Sequence, residues 1–171
     1  MKNLLYVGVL ILSMLFSCNR TEQKKTNNLV PKEDTIAIKV DTIIGSFHIT
    51  YTIRDNDNVV SRQSITSKGD SILLEYADRS VFLDLICNGQ TILSNQEINR
   101  QTFKSIIPKD EIEEFQLWFF GIKKVDDEGV LFNVNICIPD TDICYFIALH
   151  ISKNGDFIVS QIEQDEDETD D

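Results

Sequence analysis

Apolar and polar residues alternate along most of this chain, and a period of two is compatible with strands and little else. The final third carries the pattern most plainly. Leu117 to Val125, Val130 to Ile138, Ile143 to Ser152 and Phe157 to Ile162 read as four strands of a meander. Turns fall at Asp126 to Gly129, Pro139 to Asp142 and Asn154-Gly155. With Ile138 opposite Ile143 in the middle hairpin, Val134 meets Ile147, Phe132 meets Leu149 and Val130 meets Ile151. That face is wholly apolar and must be core.

Upstream, Ile36, Ile38, Val40, Thr42 and Ile44 hold one phase, and Phe47, Ile49, Tyr51 and Ile53 hold the other. The switch falls at Gly45, which therefore marks a bulge or tight bend. Asp55 to Asn58 reads as a polar turn before a weaker strand over Val59 to Ile65, and Lys68-Gly69-Asp70 as another turn. Ile72, Leu74 and Tyr76 are expected to fold back through Ala77 to Ser80 onto Val81, Leu83 and Leu85 as a hairpin. Asn88-Gly89 is a strong two-residue turn signal, leading into Thr91-Ile92-Leu93. Pro108 to about Gln116 is the one credible helix. Pro stands at its first position, Asp110 and Glu111 in its first turn, and Ile112 and Phe115 share a face. No helix–strand repeat appears, so a doubly wound parallel sheet is not expected. The expectation is a mainly β domain of antiparallel meander sheets forming a sandwich or open barrel, with one short helix.

The hairpin register also places Cys137 directly opposite Cys144. Opposed residues lie ~4.5–5.5 Å apart at Cα, within the span of a disulfide. Two reduced, packed thiols are the alternative, and Cys87 is left over as a buried cysteine. His150 is six residues beyond Cys144, ~20 Å at strand rise, so one zinc ion cannot touch both. No catalytic motif, phosphate-cradling glycine loop, dinucleotide fingerprint or metal-ligand spacing occurs. Of the two histidines, His48 points with Thr50 and Thr52 to the polar side of its strand and His150 faces with Ala148 and Phe146, and the paired aspartates of the turns are explained by backbone hydrogen bonding. In the simplest register the second face of the last sheet presents Trp118, Phe120, Asn133, Asn135, Cys137, Phe146, His150 and Phe157. Rings supply area and amides supply orientation, so Trp118, Asn133, Asn135 and His150 form the candidate binding face. Cover by a helix or another sheet is the competing explanation.

The ends of the chain differ from its middle. Leu4 to Phe16 is an apolar run after Lys2. It is shorter than the ~20 residues that a bilayer span needs, and it fits the core of an export signal. Residues 18–34 are polar and read as a flexible tether. Seven of the nine residues from Glu163 to Asp171 are acidic, which favours a solvated, disordered tail. Residues 35–162 are left as the domain. The net charge of −12 is the reverse of the basic footprint that nucleic acid requires.

Leu15-Phe16-Ser17-Cys18 resembles the lipobox of bacterial lipoproteins. The resemblance implies cleavage after residue 17 and lipidation of Cys18, with an ordinary secretory signal or an uncleaved anchor as alternatives. Several acyl chains on one cysteine give firm attachment, at ~0.8 kcal/mol per buried CH₂. Asn19 stands where the resemblance would place aspartate for inner-membrane retention, which implies the outer membrane. With its tether and its strand-rich end at Ile136-Cys137-Ile138-Pro139-Asp140-Thr141-Asp142, the chain resembles the small envelope lipoproteins of Bacteroides-type bacteria, whose function is unknown. The expected role is a non-enzymatic protein-binding or scaffold module, held to the membrane through Cys18 and contacting another envelope protein, with no cofactor. A small-ligand carrier with an aromatic-lined cavity or cleft is the alternative, and a hydrolase built on His48 or His150 the third.

Overall fold

The alternating segments pair into two sheets. The computed structural model describes residues 26–29 and 37–163. The segments expected to be an export signal and an acidic tail, and most of the one expected to be a tether, lie outside the described residues. Strands run in the order β1 (Thr26–Leu29), β2 (Ile38–Ile44), β3 (Phe47–Ile65), β4 (Ser71–Cys87), β5 (Gln90–Ile98), β6 (Gln116–Val125), β7 (Gly129–Cys137), β8 (Cys144–Ser152) and β9 (Phe157–Gln161). The first sheet is ordered β2-β3-β4, with β5 and the short parallel strand β1 sharing the far side of β4. The second is the antiparallel meander β6-β7-β8-β9. Strand β1 falls within the segment expected to be a tether; it pairs Thr26 to Leu29 with Ile72 to Glu75.

The inner faces meet in one core. Phe47, Ile49, Tyr51 and Ile53 of β3 and Val81, Leu83 and Leu85 of β4 pack against Val130, Phe132, Val134 and Ile136 of β7 and Ile147, Leu149 and Ile151 of β8. Tyr51 bridges the sheets, its ring edge-on to Phe120 at 5.2 Å. Neither sheet closes on itself, so the described residues form an open sandwich rather than a barrel. The expected β7–β8 register holds throughout, from Val130↔Ile151 to Cys137↔Cys144. Gly45-Ser46 is a two-residue turn with Gly45 at φ +60°, and Asn88-Gly89 is a second, both residues at positive φ.

Three expectations are corrected. The hairpin folding Tyr76 onto Val81 does not form: β4 is one strand of 17 residues, antiparallel to β3 along both halves. The polar stretch Ala77 to Ser80, which resembles a turn, is strand backbone in which Asp78 is buried and ion-paired, Ser80 is buried and hydrogen-bonded, and Arg79 is half-buried. Likewise the expected turn over Asp55 to Asn58 does not reverse the chain: Asp55 pairs with Arg79, and Asn56 to Asn58 form a bulge within β3 opposite Asp78. The helix over Pro108 to Gln116 is the third correction. A single turn links the Glu111 and Ile112 N–H groups to the Pro108 carbonyl, then a 3₁₀ turn spans Ile112–Glu114, and β6 begins at Gln116. Nucleating a helix fixes several residues for one bond, and nothing of this length recovers that cost. Instead the segment from Ile98 to Phe115 caps the sandwich, burying Ile98, Phe103, Ile107, Ile112 and Phe115.

Candidate functional site

Along β7 the core takes Val130, Phe132, Val134 and Ile136, so Leu131, Asn133, Asn135 and Cys137 must face outward. The register sets His150 beside Leu131, Ala148 beside Asn133, Phe146 beside Asn135 and Cys144 beside Cys137. Strand β9 adds Ile158 and Ser160 to the same face. From β6 come Phe119, opposite Asn135, and Gly121, opposite Asn133. The Phe119 ring lies over Gly121 so closely that an added Cβ would sit 2.8 Å from it. An aromatic ring thus fills the space a glycine leaves in a strand. Phe119 and Ile158 remain 48% and 59% exposed. Within this surface the side-chain oxygen of Asn133 is buried and accepts no hydrogen bond.

Three of the four expected residues, Asn133, Asn135 and His150, share this face. Trp118 does not join them. It is the extra residue of a bulge between Leu117 and Phe119, exposed at the β4–β6 seam, where the Arg79 guanidinium lies 5.7 Å from its ring centroid. Two further corrections follow from the same local geometry. The bulge shifts the phase of β6, so Phe120 turns inward and stacks on Phe132 at 4.7 Å. The β8–β9 connection is a four-residue loop, Lys153 to Asp156, with Gly155 at φ +84°, and it sends Phe157 to the core side opposite Ile151. Phe119, which takes the outward place, was recoverable from the sequence only by anticipating the bulge.

Cys137 and Cys144 are joined at 2.09 Å between sulfurs, with their Cα atoms 4.1 Å apart. Cys87 is free and buried, 3.6 Å from the Ser46 hydroxyl. His48 lies on the outer face of the other sheet, its Nε2 2.7 Å from Asp41 Oδ1, and that contact holds the Asp41 carboxyl below its usual range. Among the described residues, no group of three or more His, Cys, Asp or Glu side chains is placed to hold a metal ion.

The strongest polar constellation is internal and was not anticipated. Arg100 and Asp78 are buried together, Asp78 only 1% exposed, with Arg100 Nε 3.3 Å from Asp78 Oδ2. Arg100 Nη1 donates to the carbonyls of Glu113 at 3.1 Å and Phe115 at 3.2 Å, and Nη2 to Glu113 Oε2 at 2.9 Å. The Asp78 carboxylate also accepts from the Arg79 N–H at 2.8 Å and from the Leu117 N–H. Burial nevertheless pushes its pKa up, against the pull of these donors and of Arg100. Beside it, Gln116 donates to the Ala77 carbonyl, and the buried Ser80 hydroxyl donates to Glu97 at 2.7 Å. This cluster clasps the capping segment to the β3–β4 bulge. One signal was present: Asn99-Arg100-Gln101-Thr102 forms a capping box that starts the turn carrying Arg100.

Residues 17–159 match a family described as a domain of unknown function, DUF4738. The chain belongs to that family. No curated protein matches it. The DUF4738 match takes in both sheets, the capping segment and the outward surface of β6 to β9.

Proposed function

We propose that this DUF4738 chain is an envelope lipoprotein of Bacteroides type, anchored in the outer membrane through Cys18, and that its sandwich is a non-enzymatic module binding another envelope protein. The contact surface is the outer face of the second sheet. The observation that carries the reading is the set of exposed and half-exposed apolar side chains there, Phe119, Phe146, Leu131 and Ile158, beside the amides Asn133 and Asn135. Rings and aliphatic groups around a few polar atoms make a surface suited to protein contact. Two open sheets favour such a surface over an enclosed ligand cavity.

The test is capture of partners from detergent-solubilised envelope with the full chain as bait, comparing wild type with Phe119→Ala/Ile158→Ser. A partner held by wild type and lost by the double variant, with the far-ultraviolet spectrum unchanged, is the expected result. Equal capture by both would move the interface elsewhere.

A further inference from the structure

We infer that the free edge of β2 is a pairing surface for a second copy of this chain, joining two first sheets into one continuous antiparallel sheet. This is independent of the surface proposed above. Among the described residues nothing pairs with the outer side of β2. Its seven residues keep an unbroken register with β3, from Ile38↔Ile53 to Ile44↔Phe47. Of the other edge strands, β1 offers only four residues, and β5, β6 and β9 are guarded. Strands β5 and β6 each carry two register shifts, and bulges discourage pairing. Strand β9 leads directly into the acidic run from Glu163, which would repel its own copy.

The direction of the free groups follows from the ladder. Ser46 O accepts from the Asn88 N–H, so the even residues of β3 bond toward β4 and the odd ones toward β2. Ile38, Val40, Thr42 and Ile44 therefore bond inward, and Lys39, Asp41 and Ile43 point their N–H and C=O groups outward. Ile43 is 73% exposed, and Ile38 is exposed as well. A lone lysine on an edge strand repels a second copy. Here Asp41 stands two residues from Lys39, and His48 holds its carboxylate on the outer face.

Charge then selects the register. A two-fold axis at Asp41 would oppose the two aspartates, and one at Thr42 would leave Lys39 facing Gly45. With the axis at Val40, Lys39 of each copy lies opposite Asp41 of the other in a hydrogen-bonded pair, and the core-side row is Ile38, Val40 and Thr42 against Thr42, Val40 and Ile38. Opposite charges directly across a ladder are favourable and like charges are not.

The test is sedimentation of the full chain in density-matched detergent. Wild type is expected to be dimeric. Lys39→Asp alone and Asp41→Lys alone, each with like charges opposed, are expected to be monomeric, and an equimolar mixture of the two should dimerise because every pair is again complementary. A monomeric wild type, or single variants as dimeric as wild type, would overturn the inference. The register has its own test. Val40→Cys should cross-link to itself under mild oxidation, since opposed residues of a non-bonded pair lie within disulfide reach. Thr42→Cys should not, and equal cross-linking of both would overturn the assigned axis.

Discussion

Replacing Arg100 by alanine leaves Asp78, nearly devoid of solvent, without its ion-pair partner, and leaves the Glu113 and Phe115 carbonyls without the donor that gathers them. Breaking a buried pair from one side costs about 3–5 kcal/mol, because the abandoned charge has no water to replace the lost partner. Whole domains are stable by only about 5–15 kcal/mol, so the variant should fold with a large part of its margin gone. Urea unfolding followed by circular dichroism measures this. At a slope of about 2 kcal/mol per molar urea, a loss of about 4 kcal/mol lowers the midpoint by roughly 2 M. Acid provides a second readout. Burial already raises the Asp78 pKa above its usual value, and removing Arg100 takes away one of the influences that lower it. A carboxyl with a raised folded pKa is cheapest to bury when protonated. The deficit of Arg100→Ala should therefore shrink as pH falls through that pKa toward the unfolded value near 4. Asp78→Asn in the same background should recover part of the loss at neutral pH. An Arg100→Ala midpoint within about 0.5 M of wild type at neutral pH would show that the clasp is not what holds the capping segment down.

Alkaline stability depends on Tyr76, whose hydroxyl donates to Asp140 Oδ2 at 2.6 Å and whose pKa is pushed up to about 12 by desolvation and then by that bond. Its contribution is complete below pH about 10, the unfolded value, and is lost as pH rises toward 12, so Tyr76→Phe should flatten that part of the alkaline denaturation curve. Thiol titration of oxidised protein in denaturant should find one free thiol among Cys87, Cys137 and Cys144, against three if the β7–β8 bridge is missing. Replacing Cys137 and Cys144 together by serine should cost about 2 kcal/mol in the same urea assay, since the bridged residues are only 7 apart in sequence.

Whatever local chemistry decides is legible in the sequence. The Asn88-Gly89 and Gly45 turns need residues tolerant of positive φ, and the β7–β8 register needs one apolar face, so a single sequence sufficed for both. Where distant partners decide, the same reasoning failed. Asp78 and Ser80 look like turn residues because their satisfaction comes from Arg100 and Glu97, far along the chain. The bulge that turns Phe120 inward and leaves Phe119 on the outer face leaves no mark in the alternation except an extra aromatic. Three of the four expected members of the candidate face, Asn133, Asn135 and His150, followed from period two alone; its aromatic member on β6 did not.

Attachment to the envelope is the premise of the proposed role, and mass spectrometry of the amino-terminal peptide from native membrane tests it most directly. The account predicts a chain that begins at Cys18 and carries a diacylglyceryl thioether and an acylated amine. An unmodified residue 18, or a chain still bearing Met1 to Ser17, would contradict it.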